Sequence, residues 1–458
     1  MKVIICGAGQ VGVGIAERLA AEGNSVTMIE PREDLVQRVN DTLDVRAFRG
    51  HGAHPDVLER AGAREADMLI AVTLHDEINM VACQVAHTLF DVPTKIARVR
   101  SQAYMAGDSA QLFGRKHMAI DAIISPEMEV AKSVLRRLEV PGAFETISFA
   151  DRRALLLGIN CGPNCPVVDT PLNQLATLFP DLPAIIAAVV RNGTLFMPEA
   201  NDQLLVGDDT YVIADGAQVS RILKIFGHDE PQARRIVIAG GGNIGLFVAR
   251  ELESKASHLR IKVIEASRAR AVEIADRLNR TVVLHGNALS EDLLREAEVP
   301  SADAFVALTN DDQANILTSV LAKQLGAQAS LCLVNSPGYN TMVRSFGLDA
   351  EIDPRAVTVS RILQFVRRGR VRGVHSIHNG AGEVLEVDVL ETAAVIGRPV
   401  RSLGLGKGIR FGAVYRAGKL AMVNGDTEFM AKDRVVLFSR ADHVREVEQI
   451  FRVTPEYF

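Results

Sequence analysis

No run of apolar residues in this chain is long enough to cross a bilayer. The longest, such as Ala184-Ile185-Ile186-Ala187-Ala188-Val189-Val190, fall well short of the ~20 residues that a spanning helix needs. The basic excess that marks a general nucleic-acid binder is also missing. The formal net charge is −5, so no nucleic-acid partner is expected. The first residues run straight into a strand and a turn, and no signal peptide is expected. Low-complexity tracts are absent. With 23% charged and 48% hydrophobic residues, the composition argues against disorder and for well-buried sheets. Cysteine is scarce: of five, only Cys161-Gly162-Pro163-Asn164-Cys165 forms a close pair, and no second pair or histidine cluster completes a metal site. The pair reads as fortuitous, in a loop. Cys6, Cys83 and Cys332 lie in apolar runs, as small core residues do. The expectation is a soluble intracellular protein without a metal.

What the chain does contain begins at its second residue. Lys2-Val3-Ile4-Ile5-Cys6 is an apolar run that enters Gly7-Ala8-Gly9-Gln10-Val11-Gly12, and Val13-Gly14-Ile15-Ala16-Glu17-Arg18-Leu19 follows with helical spacing. Strand, G-x-G-x-x-G and helix in that order form a dinucleotide fingerprint. The first glycine allows the tight turn, the second lets the backbone approach a pyrophosphate, and the third lets helix and strand pack closely. The phosphates then lie at the helix N-terminus, where free N–H groups and the helix dipole favour negative charge. Ser25-Val26-Thr27-Met28-Ile29 reads as the second strand and ends in Glu30. An acid about 20 residues past the glycines accepts from ribose hydroxyls, and its charge disfavours a 2′-phosphate.

A third strand is expected over Leu43–Phe48 and a buried one over Asp67–Thr73, with Thr73 at the strand end where open α/β sheets place ligand contacts. A helix from Asn79 to Phe90, a strand over Lys95–Arg100 and a closing strand over Ala119–Ile124 complete the sheet. Arg98 and Arg100 alternate on one face at a strand end; the arginine fork suits a phosphate clamp. The pattern changes after Val140 to short strands, with a hairpin signal at Asn192-Gly193.

After the polar linker Gly227–Ala233 the whole pattern restarts. Ile236-Val237-Ile238-Ala239-Gly240-Gly241-Gly242-Asn243-Ile244-Gly245 repeats the fingerprint, Glu265 answers Glu30, Thr309 answers Thr73, and Asp312 and Asn315 answer Asp76 and Asn79. The chain is two copies of a two-domain unit. Arg98 and Arg100 are replaced in the second copy by Leu333 and Asn335, so only the first site keeps the clamp. The basic run Arg367–Arg372 follows the second crossover helix, where a helix C-terminus attracts positive charge.

The fold class is therefore α/β, with two Rossmann-like, doubly wound parallel-sheet domains, each followed by a small α+β module. A dehydrogenase would add a domain supplying an acid or base to the nicotinamide. Here each small module is strand-rich and lacks a nucleophile–base motif, and no histidine occurs between His117 and His228. His51 and His54 sit on the turn after the third strand, facing a nucleotide edge or solvent rather than a metal. A ligand sensor, not an enzyme, suits this arrangement. The competing readings are an NAD-dependent oxidoreductase and a soluble nucleotide or redox sensor whose partner is not a transporter.

The two glycine turns, the Asp67–Thr73 run, Asp76-Glu77-Ile78-Asn79-Met80 and the Arg98/Arg100 strand make the chain resemble the bacterial Trk potassium-uptake peripheral subunit family (TrkA). The resemblance covers essentially the whole chain. It implies two tandem RCK units, each an N-terminal nucleotide-binding domain followed by a C-terminal subdomain. The boundaries fall at 1–125 (first Rossmann-like domain), 126–140 (crossover helix), 141–227 (first C-terminal subdomain), 228–233 (linker), 234–354 (second Rossmann-like domain), 355–372 (crossover helix) and 373–458 (second C-terminal subdomain). It further implies a non-enzymatic cytoplasmic regulator, peripheral on the inner face of the plasma membrane. Such a regulator assembles as a homotetrameric ring beneath a membrane-embedded Trk-type potassium-translocating subunit, and NAD(H) and ATP/ADP bind its Rossmann sites. Carried onto matching positions, the nucleotide contacts are Gly7, Ala8, Gly9, Gln10, Val11, Glu30, Thr73, Leu74 and Arg98, to which the clamp adds Arg100. In the second unit they are Gly240, Gly241, Gly242, Asn243, Ile244, Glu265 and Thr309. Where many RCK domains carry Asp after the third strand's glycine, this chain has His51 and Asn287.

Overall fold

Apolar runs bounded by glycine turns become parallel strands because both faces of each are covered by helices. In the computed structural model, which describes residues 1–104, 111–113, 117–366 and 371–451, the first repeat runs β1 (Lys2–Cys6), α1 (Gln10–Ala21), β2 (Ser25–Glu30), α2 (Glu33–Thr42), β3 (Arg46–Arg49), α3 (Pro55–Arg60), β4 (Met68–Ala71), α4 (Asp76–Phe90), β5 (Thr94–Arg98) and β6 (Ala122–Ile124). The six strands pair in parallel in the order β3-β2-β1-β4-β5-β6. The strand order reverses between β1 and β4, and open α/β sheets bind ligands at that point, beyond the carboxyl ends of the strands. The strand expected over Lys95–Arg100 stops at Arg98, and the helix expected from Asn79 starts at Asp76.

The chain continues through α5 (Pro126–Glu139), β7 (Glu145–Phe149), β8 (Ala154–Asn160), α6 (Leu172–Leu178), β9 (Ala184–Arg191), β10 (Thr194–Phe196), β11 (Asp209–Asp215) and α7 (Val219–Ile225). These strands form an antiparallel sheet ordered β10-β9-β11-β8-β7. The second repeat supplies β12 (Arg235–Ala239), α8 (Asn243–Lys255), β13 (Arg260–Glu265), α9 (Arg268–Asp276), β14 (Val282–His285), α10 (Glu291–Glu296), β15 (Ala304–Ala307), α11 (Asp312–Leu325), β16 (Ala329–Leu333), α12 (Asn340–Ser345) and β17 (Ala350–Ile352). Its sheet, β14-β13-β12-β15-β16-β17, repeats the first order. Last come α13 (Pro354–Val366), β18 (Val371–Ile377), β19 (Gly382–Asp388), β20 (Ile409–Arg416), β21 (Lys419–Met422), β22 (Arg434–Arg440) and α14 (Val444–Ile450), with the sheet β18-β19-β22-β20-β21. Read from its other edge, that order is the order of the first small module. Of the basic run Arg367–Arg372, residues 367–370 lie outside the described residues, and Arg372 pairs with Asp388 at 2.6 Å.

The chain forms two bodies, residues 1–129 with 354–368 and residues 130–353 with 369–458. In the first body, period-two alternation sends Val3 and Ile5 to one face of the sheet and Ile4 and Cys6 to the other. The latter face packs under α3 and α4 through Leu58, Met80, Cys83 and Ala86. The former is covered by α1 and also by α13, whose Ile362, Leu363 and Val366 join Val3, Ile5, Ile15, Met28 and Ile70 in one core. A Cβ at Gly14 would stand 2.7 Å from Arg355 Nε, so the glycine lets α1 and α13 approach, and Arg355 then reaches Glu17 at 3.0 Å. Each such buried side chain contributes about 1.5–3 kcal/mol.

The second body repeats the arrangement with the other crossover helix. Val130, Val134, Leu135 and Leu138 of α5 pack against Ile236, Ile238, Val263 and Val306. Each Rossmann-like sheet is thus covered by the helix that follows the other sheet in sequence. In the same body the two antiparallel sheets share a core that includes Leu156, Ala188, Ile213, Ala413, Val436 and Phe438. Among the described residues no helix is long and apolar enough to cross a membrane.

Candidate functional site

The turn after β1 shows a separate cause for each glycine. Gly7 has φ +109°, and a Cβ there would lie 3.1 Å from Thr73 N and Val72 O. A Cβ at Gly12 would lie 2.0 Å from Gly7 O. The chain's own packing therefore imposes these two. A Cβ at Gly9 would meet nothing within 4 Å, so the middle glycine keeps open a space that the protein does not fill. The second copy matches: Gly240 has φ +107°, a Cβ at Gly245 would lie 2.0 Å from Gly240 O, and Gly242 faces open space. Helices α1 and α8 start at Gln10 and Asn243 with no side-chain cap and no acid in the first turn. Their leading N–H groups and positive dipole ends are left for an anion.

Glu30 is engaged by the protein itself. Its Oε2 accepts from Ala8 N at 2.8 Å and its Oε1 from Arg32 N at 3.1 Å. In the second copy Glu265 accepts from Gly241 N and Ser267 N, both at 2.7 Å. The acid at the end of the second strand therefore pins the glycine turn, and its remaining lone pairs are available to a ribose hydroxyl. Thr73 is tied in a similar way, with N and Oγ1 donating to Asn79 Oδ1 at 2.9 and 2.7 Å. Asn79 Nδ2 donates back to Thr73 O and across to Arg98 O. Thr309, Asn315 and Leu333 O reproduce the knot. These asparagines are fully buried and carry the site's geometry. Repetition of the sequence marked them without assigning them a task. Leu74, next to the knot, is 71% exposed, an apolar side chain at the cleft edge.

The two arginines differ from the expected pair. Arg98 ends β5, and its Nε is buried without a hydrogen-bond partner. Burial pushes its guanidinium below the usual arginine range, opposed by the charges of Glu127 and Asp76. Arg100 lies past the strand: its side chain is paired with Glu127 at 2.7 Å, and its N–H donates to Asp76, which also holds Ser101 N. Arg100 thus already has a carboxylate partner, whereas Arg98 Nε has no hydrogen-bond partner. A second orphan is His51 Nδ1, buried without a partner, its ring stacked 4.5 Å from that of His54.

In the second copy Asn335 takes the Arg100 position and donates through N and Nδ2 to Asp312, which also accepts from Ser336 N. Burial works to raise the Asp312 carboxyl, but those donors outweigh it and hold it below the usual carboxylate range. The second turn gains an arginine of its own. Arg270 of α9 donates to Gly241 O at 2.9 Å and reaches Asn243 Oδ1 at 3.4 Å, with Glu273 beside it. The first copy has Leu35 at this position. That exchange is the signal that could have located Arg270 from sequence.

Open space over Gly9 and Gly242 and the uncapped helix ends could take a nucleotide's phosphates, and the orphaned Arg98 Nε lies at the end of β5 in the same sheet as the first turn. Residues 7–11 and 240–244 would hold the phosphates, Glu30 and Glu265 a ribose, and Arg98 an additional phosphate at the first site. Among the described residues no group of three or more His, Cys, Asp or Glu could hold a metal.

The TrkA-N domain model matches residues 3–126 and 236–354, and the TrkA-C domain model matches residues 156–227 and 384–452. The chain is 56% identical to the Trk system potassium uptake protein TrkA of Azorhizobium caulinodans over 458 residues, covering 100% of both chains. Among solved structures it is similar in fold to the GsuK channel bound to NAD (TM-score 0.60, 15% identity, 98% of this chain and 78% of that one). It is also similar to GsuK bound to ADP (TM-score 0.50, 14% identity, 80% of this chain and 69% of that one).

Proposed function

The chain belongs to the family of the Trk system potassium uptake protein TrkA, and on that premise we propose that it is a nucleotide-responsive regulatory subunit of a Trk-type potassium transporter. It acts without catalysis, as a cytoplasmic ring of four copies on the inner face of the membrane, docked to the potassium-translocating subunit. Its ligands are NAD(H) and ATP or ADP, and the first site is the one that tells them apart. The observation that carries this reading is the buried, unpartnered Arg98 Nε at the first site, set against Leu333 at the same place in the second. A ligand can move a conformational equilibrium only by binding one state better than the other. A third phosphate that satisfies Arg98 supplies such a difference, since charge-assisted hydrogen bonds contribute about 1.5–3 kcal/mol.

Calorimetric titration of the full chain with ATP, ADP and NADH tests the proposal. Arg98→Ala is expected to weaken ATP binding at the first site roughly 10- to 100-fold and NADH binding less. Arg100→Ala, whose side chain is held by Glu127, is expected to change it by less than about threefold. Unchanged ATP affinity in Arg98→Ala would overturn the assignment. Recovery of the protein with solubilised membranes containing the potassium-translocating subunit tests the partner.

A further inference from the structure

One group of reactive side chains lies outside both nucleotide clefts. β8 ends at Asn160 and leads into Cys161-Gly162-Pro163-Asn164-Cys165, where Cys165 N donates to Gly162 O at 3.0 Å. That turn folds the second cysteine back onto the first. Cys161 is anchored on both sides, its N–H on Asp208 O and its C=O on Gly207 N, and its thiol lies 3.4 Å from Thr210 Oγ1. Both cysteines are free and buried, Cys161 at 0% and Cys165 at 8% exposure, so only Cys165 touches the surface.

The surroundings of the two sulfurs are unequal. Both cysteines belong to one buried cluster with Val167, Leu204 and Phe226, and the backbone N–H groups of Val167 and Val168 and the His228 ring act on Cys165. The Cys161 hydrogen bond, then these amides and His228, hold Cys165 below the usual thiol range against the effect of burial. Cys161 is raised, by that same hydrogen bond and by burial. Burial also pushes Cys6 and Cys332 up to about 12 and raises Cys83, so the remaining thiols are inert by comparison. Amide donors and partial access favour a thiolate nucleophile, and the adjacent cysteine is placed to resolve it.

The joint to the second nucleotide domain packs on this loop. A Cβ at Gly227 would stand 3.0 Å from Pro166 Cδ, 3.1 Å from Asn164 O and 3.4 Å from Cys165 Cα. His228 reaches Asn160 O at 3.2 Å through Nε2 and Glu230 at 3.0 Å through Nδ1.

We propose that Cys161 and Cys165 form a peroxide-sensitive dithiol site that closes to a disulfide beneath the joint leading from the first small module into the second nucleotide domain. The Cys165 thiolate attacks hydrogen peroxide; an S–O bond forms, the O–O bond breaks and hydroxide leaves. The Cys161 sulfur then attacks the resulting sulfenic acid. The S–S bond forms, the S–O bond breaks, and the Cys161 proton leaves with the hydroxide as water. Two thiols lose two electrons and one peroxide becomes two waters.

The test uses the full chain and needs no variant to begin. After peroxide treatment, alkylation and trypsin digestion without reductant, the peptide Ala154–Arg191, which carries both cysteines and no other, is expected unalkylated and lighter by about 2 Da, one hydrogen from each thiol. Cys6, Cys83 and Cys332 stay alkylated at the same dose, and dithiothreitol reverses the change. Cys161→Ser is expected to leave a dimedone-reactive sulfenic acid at Cys165, and Cys165→Ser to leave Cys161 unoxidised. A peptide that stays alkylated at both positions while other thiols oxidise would overturn the proposal, as would oxidation of Cys161 without Cys165.

Discussion

At the scale of single residues, the first fingerprint separates what the fold requires from what a ligand requires. Gly12 cannot gain a Cβ without meeting Gly7 O at 2.0 Å, whereas Gly9 can gain one and touch nothing. Gly9→Ala is therefore expected to change unfolding free energy by less than about 1 kcal/mol. The same substitution is expected to weaken nucleotide binding at the first site by about tenfold or more, because the new methyl occupies the space left for phosphate. Thermal melts without ligand, paired with calorimetric titration, check both halves; an equal loss of stability and affinity would contradict it. The glycine pattern and its copy were legible in the sequence because steric necessity leaves few other residue types. The second task of Glu30, the burial of Arg98 and the diversion of Arg100 to Glu127 were not. They depend on which polar partners a strand end happens to face, and spacing along the chain carries no such information. Arg270 is marked in the sequence only by its exchange with Leu35 of the first copy, and nothing in its spacing says that α9 delivers it to the turn.

The elements around each cleft are joined by polar knots at the strand ends. Asp312, in the first turn of α11, holds the amides of Asn335 and Ser336 beyond β16, and the same helix carries Asn315 to Thr309 and Leu333 O. Because the Asp312 carboxyl is held below its usual range in the folded chain, its contribution is fully present above the unfolded value of about 3.9 and is lost as pH falls through the lower folded value. Asp312→Asn is expected to cost about 1–2 kcal/mol at neutral pH. The difference from the parent should shrink toward zero as the medium is acidified below about pH 4. Denaturant unfolding of both proteins across that range measures it, and a difference independent of pH would contradict the assignment. Element existence and order were readable from apolar periodicity and turn residues. Their ends were not, because β5 stops at Arg98 and α4 starts at Asp76 to satisfy these hydrogen bonds rather than to extend an apolar pattern.

At the scale of the whole molecule, the exchange of crossover helices was invisible in the sequence. The apolar stripe on α5 or α13 states that a helix must be covered, and both Rossmann-like sheets offer the same kind of surface. Only the three-dimensional structure assigns Ile362, Leu363 and Val366 to the first sheet and Val130, Val134 and Leu138 to the second. A fragment ending at residue 233 keeps β1–β6 but has no α13 to cover Val3, Ile5 and Ile70. It is expected to bind a hydrophobic dye and to melt without a cooperative transition, and the full chain is expected to do neither. A cooperative melt of the fragment at the full chain's temperature would show that the sheet does not need α13. The exchange also sets an order of events during synthesis. The first cleft is translated first, yet the helix that buries its sheet leaves the ribosome only after the whole second sheet, a delay on the order of tens of seconds at ~5–20 residues per second. Over that interval Val3, Ile5 and Ile70 lack the cover of α13, and a product terminated before α13 lacks it permanently. Completion of the first half thereby certifies that the second Rossmann-like domain has already been made.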